Sequence, residues 1–220
     1  MVAYLGTNEM NTIYKYILTL AGCVLIASCD VKIKSNVKFS QILAADNKIV
    51  VTDLSVGTHC DKSYNEKVVQ AFENRGITAR FTECLWDIMN GYYYSKFSVP
   101  IQIVKGDEKP EDKYATLYLR YKNNQLTLET SSDYAKFIKQ GSNDIKFRSI
   151  EFEFVNDTQN AIHIKPSMSF VNDEPMDNEI IEVAPFAKIT IKLPDVSHQI
   201  LKRSDLVYPV FQIINPTVKE

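Results

Sequence analysis

The chain is short of the residues that phosphate and metal chemistry require. It has 7 glycines and 3 histidines in 220 residues, and it contains no P-loop, H-E-x-x-H, G-x-S-x-G or C-x-x-C pattern. So few glycines exclude a glycine-rich phosphate cradle, and His59, His163 and His198 are too scattered for a metal motif. Neither charge dominates: 25 Lys and Arg stand against 27 Asp and Glu, a net of -2, which argues against a nucleic-acid partner. Internal repeats and low-complexity segments are also missing. No apolar run reaches the roughly 20 residues needed to cross a bilayer as a helix. Neither a metal nor a cofactor is expected.

The longest uncharged run follows Lys15, in the stretch K-Y-I-L-T-L-A-G-C-V-L-I-A-S-C-D ending at Asp30. About 14 residues behind a basic side chain, closed by small residues, is the build of an export signal. Residues 1–9 carry Glu9 and no Lys or Arg, whereas such a signal starts positive. Residues 1–28 are read as the signal peptide, and a true start at Met10 would put an amino terminus and Lys15 ahead of the apolar run.

Ile26-Ala27-Ser28-Cys29 and Leu20-Ala21-Gly22-Cys23 both resemble the lipobox of bacterial lipoprotein precursors. In that family the Cys receives a diacylglyceryl group and becomes the new N-terminus after cleavage. Cys29 is the favoured lipidation site because it leaves the longer apolar core; Cys23 is the alternative. The resemblance implies an acyl anchor in the lipid bilayer, a periplasm-facing body and a place in the cell envelope. Asp30 after Cys29 implies retention at the inner membrane, while Val24 after Cys23 implies passage to the outer membrane.

Two further cysteines remain, Cys60 and Cys84. An even pair in an exported chain reads as a disulfide, and closing a ~25-residue loop contributes on the order of 3 kcal/mol. Strands are expected over 31–39 and 48–56, from period-2 alternation. Ser63 and Glu66 look like a capping box opening a helix over 64–75 that Gly76 stops. A third strand is expected over 77–83. A bridge between Cys60 and Cys84 requires parallel second and third strands, since an antiparallel pair would hold the sulfurs about 20 Å apart. A strand over 92–104 is interrupted by Pro100, which suggests an edge or a bend. The polar loop 106–113 is the boundary between subdomains 29–105 and 106–220. Beyond it come a hairpin turning at Asn123-Asn124, a short helix over 133–140, and alternating strands to the end. The expected fold class is α+β, a small strand-helix-strand unit with one disulfide followed by a mostly antiparallel β-sandwich-like part.

The loop Asn172 to Glu179 is rich in oxygen ligands but lacks EF-hand spacing, so it is read as a solvated loop. His59 beside Cys60 is read as a surface histidine. Trp86 with Tyr92, Tyr93 and Tyr94 is the candidate binding patch, since aromatics concentrate at protein-binding hot spots. On a strand, however, Tyr92 and Tyr94 face away from Tyr93, so one of these faces is expected to be core. The body also resembles uncharacterised lipoproteins carried by prophages of enteric bacteria, through its order of lipidated Cys, strand, cysteine-flanked helix and β tail. That resemblance implies interference with phage entry. The functional reading is a non-catalytic binding role toward an envelope protein. The alternative is a periplasm-facing hydrolase or carbohydrate-active enzyme, with Ser, Asp and His assembled from distant positions.

Overall fold

The computed structural model describes residues 30–58, 60–74, 76–88, 91–111, 117–130, 146–194 and 207–214. Cys23, Cys29, His59, His198 and the helix expected over 133–140 lie outside them. Among the described residues two short helices, α1 (Phe39–Leu43) and α2 (Lys62–Glu73), accompany a sheet of 13 strands. In chain order the strands are β1 (Asp30–Lys38), β2 (Lys48–Thr58), β3 (Arg80–Asp87), β4 (Tyr92–Lys105), β5 (Leu117–Lys122), β6 (Gln125–Thr130) and β7 (Lys146–Val155). They continue as β8 (Ile162–Pro166), β9 (Ser169–Val171), β10 (Glu174–Met176), β11 (Ile181–Val183), β12 (Lys188–Lys192) and β13 (Tyr208–Ile214). Among the described residues no helix is long and apolar enough to cross a membrane.

The expected α+β fold with a separate β-sandwich-like part is therefore incorrect: the protein is mostly β, one mixed sheet curled into a half-barrel. Twelve strands follow one path, β10-β9-β12-β7-β1-β2-β4-β5-β6-β13-β8-β11, and β3 joins it at β4. The join that fuses early and late sequence is β1 against β7, parallel, with Ile33 opposite Ile150 and Val37 opposite Phe154. Both strands alternate apolar and polar residues, so stacking them in register puts Ile33, Val37, Ile150, Phe152 and Phe154 inside. The loop after β4 joins two neighbours of this same sheet, since β4 and β5 pair in parallel from Gln102 and Tyr118 onward.

Interior packing closes the curl. Phe154 on β7 meets Phe211 on β13 edge to face at 4.9 Å, and Phe39 of α1 lies 6.0 Å and 5.7 Å from the two rings. Each is almost fully buried, at about 1.5–3 kcal/mol of transfer free energy per ring. Asn156 then ties the far end of the sheet to β7. Its buried Nδ2 donates to the carbonyls of Asn160, Val183 and Ala184, and its Oδ1 accepts from Thr158.

Both residues of the expected Asn123-Asn124 turn have positive φ, 50° and 60°, as a tight primed hairpin turn requires. Pro100 does not interrupt the strand, for β4 runs from Tyr92 to Lys105 through it. β2 pairs along one edge of β4, while on the other edge β3 ends at Ser98 and β5 begins at Gln102. The Lys96 carbonyl turns toward β3, where it accepts from the Thr82 hydroxyl at 2.9 Å. By the two-residue period Pro100 turns the same way, and its missing N–H falls in the gap between β3 and β5.

Candidate functional site

β2 and β3 run parallel, as the cysteine argument required, but β4 lies between them as an antiparallel partner of both. Helix α2 crosses this three-strand end of the sheet. Its cap is Asp61, whose carboxylate accepts from the Tyr64 amide at 2.8 Å. The expected box at Ser63 gives way because an ionised acceptor two residues earlier also meets the positive end of the helix dipole. Val68 packs down on Val56, Ala79, Phe97 and Val99, with Tyr64, Val69 and Phe72 partly buried around them. Gly76, at φ 74°, turns the chain out of the helix while its amide bonds the Glu73 carbonyl.

The disulfide joins Cys60, just before α2, to Cys84 on β3, with the Cα atoms 6.1 Å apart. Beneath it Ser95, fully buried on β4, donates to Asn65 Oδ1 at 2.6 Å and lies 3.3 Å from Cys60 Sγ. Asn65 is a buried polar residue on a helix face otherwise apolar. The crosslink and this pair fix where α2 begins relative to β3.

Between α2 and β3 opens a cleft of about 660 Å³, within the range of ligand sites. Lys62, Glu66, Gln70 and Glu73 line one wall, Val69 and Phe81 supply apolar surface, and the disulfide lies at one end. The Lys62–Glu66 pair at 3.8 Å is exposed and contributes little to stability. Among the described residues no group of His, Cys, Asp and Glu could hold a metal ion.

β3 is an edge strand with little cover: every residue from Arg80 to Trp86 is exposed. A bulge between Phe81 and Glu83 resets its alternation, so Phe81, Cys84 and Trp86 share the face that carries α2. Trp86 and Tyr93 pair across β3 and β4 and touch edge to face at 4.7 Å, 52% and 44% exposed. The structure thus unites two members of the expected aromatic patch. Tyr94 is only 2% exposed, with the Lys32 ammonium 4.1 Å above its ring, and Tyr92 opens β4 with its side chain outside the described residues.

The opposite face is charged. Lys96 lies between Asp53 at 3.0 Å and Glu83 at 3.3 Å; the Asp53 hydrogen bond is the main reason its ammonium titrates above the usual range. Lys32 contacts Asp87 at 2.7 Å. Partial burial works against its charge, but the carboxylate prevails and raises its pKa.

Sequence reading missed the α2 wall and the apolar residues Phe81, Leu85 and Ile88. A helical wheel reveals the first, since Lys62, Glu66, Gln70 and Glu73 follow the 3.6-residue period. No local pattern reveals the second, because exposure depends on what packs outside β3.

Over residues 31–218 the chain matches a family described as a domain of unknown function, DUF7424. No curated protein matches it, and no solved structure matches it.

Proposed function

The chain belongs to the DUF7424 family, and we propose that it is a membrane-anchored envelope lipoprotein whose folded body binds another envelope component without covalent chemistry. The crosslinked cleft carries this reading. A disulfide at its end suits an oxidising compartment outside the cytoplasm, and the edge strand it braces presents apolar and main-chain groups suited to a protein partner. The anchor is Cys29, one residue ahead of the first strand. An envelope protein used by phages for entry is the first partner to try.

The test is metabolic labelling with palmitate in an enteric host, with the oxidation state of Cys60 and Cys84 read by thiol alkylation. Label is expected in the parent chain and in Cys23→Ser, and lost in Cys29→Ser, with both remaining thiols blocked. An unlabelled parent chain with both thiols free would overturn the anchor and the compartment together. For the binding role, Phe81→Asp in the cleft is expected to abolish capture of the partner from membranes while label persists. Capture unchanged by Phe81→Asp rejects the cleft as the binding surface.

A further inference from the structure

We infer that the β3–β4 hairpin tip is a second, non-covalent membrane contact that lays Trp86, Tyr93 and Ile88 into the interface of the bilayer holding the acyl anchor. This rests on the lipoprotein reading above and specifies what the aromatic patch touches.

The inference comes from strand register. Val31 on β1 pairs with Val56 on β2, Val56 with Ser95 on β4, and Ser95 with Cys84 on β3. One step toward the start of β1, Asp30 falls in the row of Gly57, Tyr94 and Leu85, and the next row holds Thr58, Tyr93 and Trp86. The chain therefore enters the fold at the end of the sheet from which the hairpin projects. Three strand spacings of ~4.8 Å put β1 about 14 Å from β3, and the Lys32–Asp87 contact at 2.7 Å joins these two strands directly. Cys29 is one peptide unit before Asp30, or about 3.8 Å. A lipid on Cys29 brings the bilayer surface to this end of the sheet.

The residues presented there have the chemistry of that surface. Trp86 and Tyr93 are half-exposed and held edge to face, Leu85 is 41% exposed, and Ile88 at the turn is 84% exposed. Trp and Tyr favour the headgroup level, where an apolar ring and a polar tip are both satisfied. The two acyl chains of a diacylglyceryl group hold the protein at the bilayer but do not orient it, and a second apolar contact fixes which end of the sheet meets the surface. The cleft wall on α2 rises from the same end, and its 12 residues at ~1.5 Å each span about 18 Å. With the tip down, the far part of the cleft points away from the bilayer toward a partner.

The chain has a single tryptophan, so its fluorescence reports on Trp86 alone. Lipidated full-length protein is reconstituted in vesicles of phosphatidylethanolamine and phosphatidylglycerol, with or without phosphatidylcholine bearing brominated acyl chains. The expected result is a blue-shifted emission that loses roughly half its intensity on brominated lipid. Ile88→Asp, a change at a solvent-facing turn, should remove most of that quenching while palmitate label stays. Labelled protein whose emission is the same on plain and brominated vesicles overturns the inference and leaves the anchor intact. Protein without label overturns both. Emission that shifts with protein concentration but not with lipid also overturns it, and assigns the patch to a second copy of the chain.

Discussion

Beneath α2 the core is five buried side chains, Val56, Val68, Ala79, Phe97 and Val99, whereas the half-barrel interior draws on nearly every other strand and on three mutually touching phenylalanines. The large core holds itself by packing and by the buried hydrogen bonds of Asn156. The small one is too thin for that, and a covalent link does part of the work. The candidate binding surface lies on the thin side. A patch left open to solvent forgoes the burial that would have stabilised its strand, so the disulfide stabilises what exposure weakens.

The largest effect expected from separating the two regions is in the interior. Phe154→Ala should cost about 3–5 kcal/mol, read by chemical denaturation as a lower midpoint for the whole body. Next comes Cys60→Ser combined with Cys84→Ser, expected to cost about 3 kcal/mol for a bridge between positions 24 apart. Hydrogen exchange should show that loss in α2 and β3 while β7 and β13 keep their protection. Equal loss everywhere would show that the two regions are a single cooperative unit.

The smallest effect concerns Lys105, which belongs to the large region. Its ammonium donates to the Gln41 carbonyl at 3.0 Å and to the Ile42 carbonyl, at the end of α1. Burial lowers its pKa to about 8, below the value of an unfolded lysine. Between about pH 8 and pH 10 the unfolded chain therefore binds more protons than the folded one, and stability from this group rises with pH. It is fully present above the unfolded pKa and is lost as pH falls through about 8. Thermal unfolding across that range should show this slope in the parent protein and a flatter one in Lys105→Met.

What the sequence disclosed was local. Alternation marks β1 and β7, paired asparagines mark the hairpin turn, and an even pair of cysteines marks the bridge. What it concealed was partnership. Nothing in V-K-I-K says that Ile33 lies opposite Ile150, because parallel neighbours share no turn, and that single pairing turns two expected parts into one sheet. The parallel relation of β2 and β3 was correct, yet the strand between them comes later in the chain. Trp86 lies past the expected end of the third strand at residue 83, yet β3 runs on to Asp87, since a bulge after Phe81 disguises the alternation. Alternation says that one face of the tyrosine run is core, and Tyr94 is buried; which face it is stays unreadable, for the side chain over the Tyr94 ring comes from β1.

Pro100 gives the thin region a boundary. With no hydrogen to offer at the interval between the last pair of β3 and the first of β5, it makes a tear line, as perforations do in paper. Fraying that starts at the hairpin can run up as far as Ser98 and there meets nothing to unzip. The appendage can thus be peeled from its free side while the half-barrel behind it keeps its pairing.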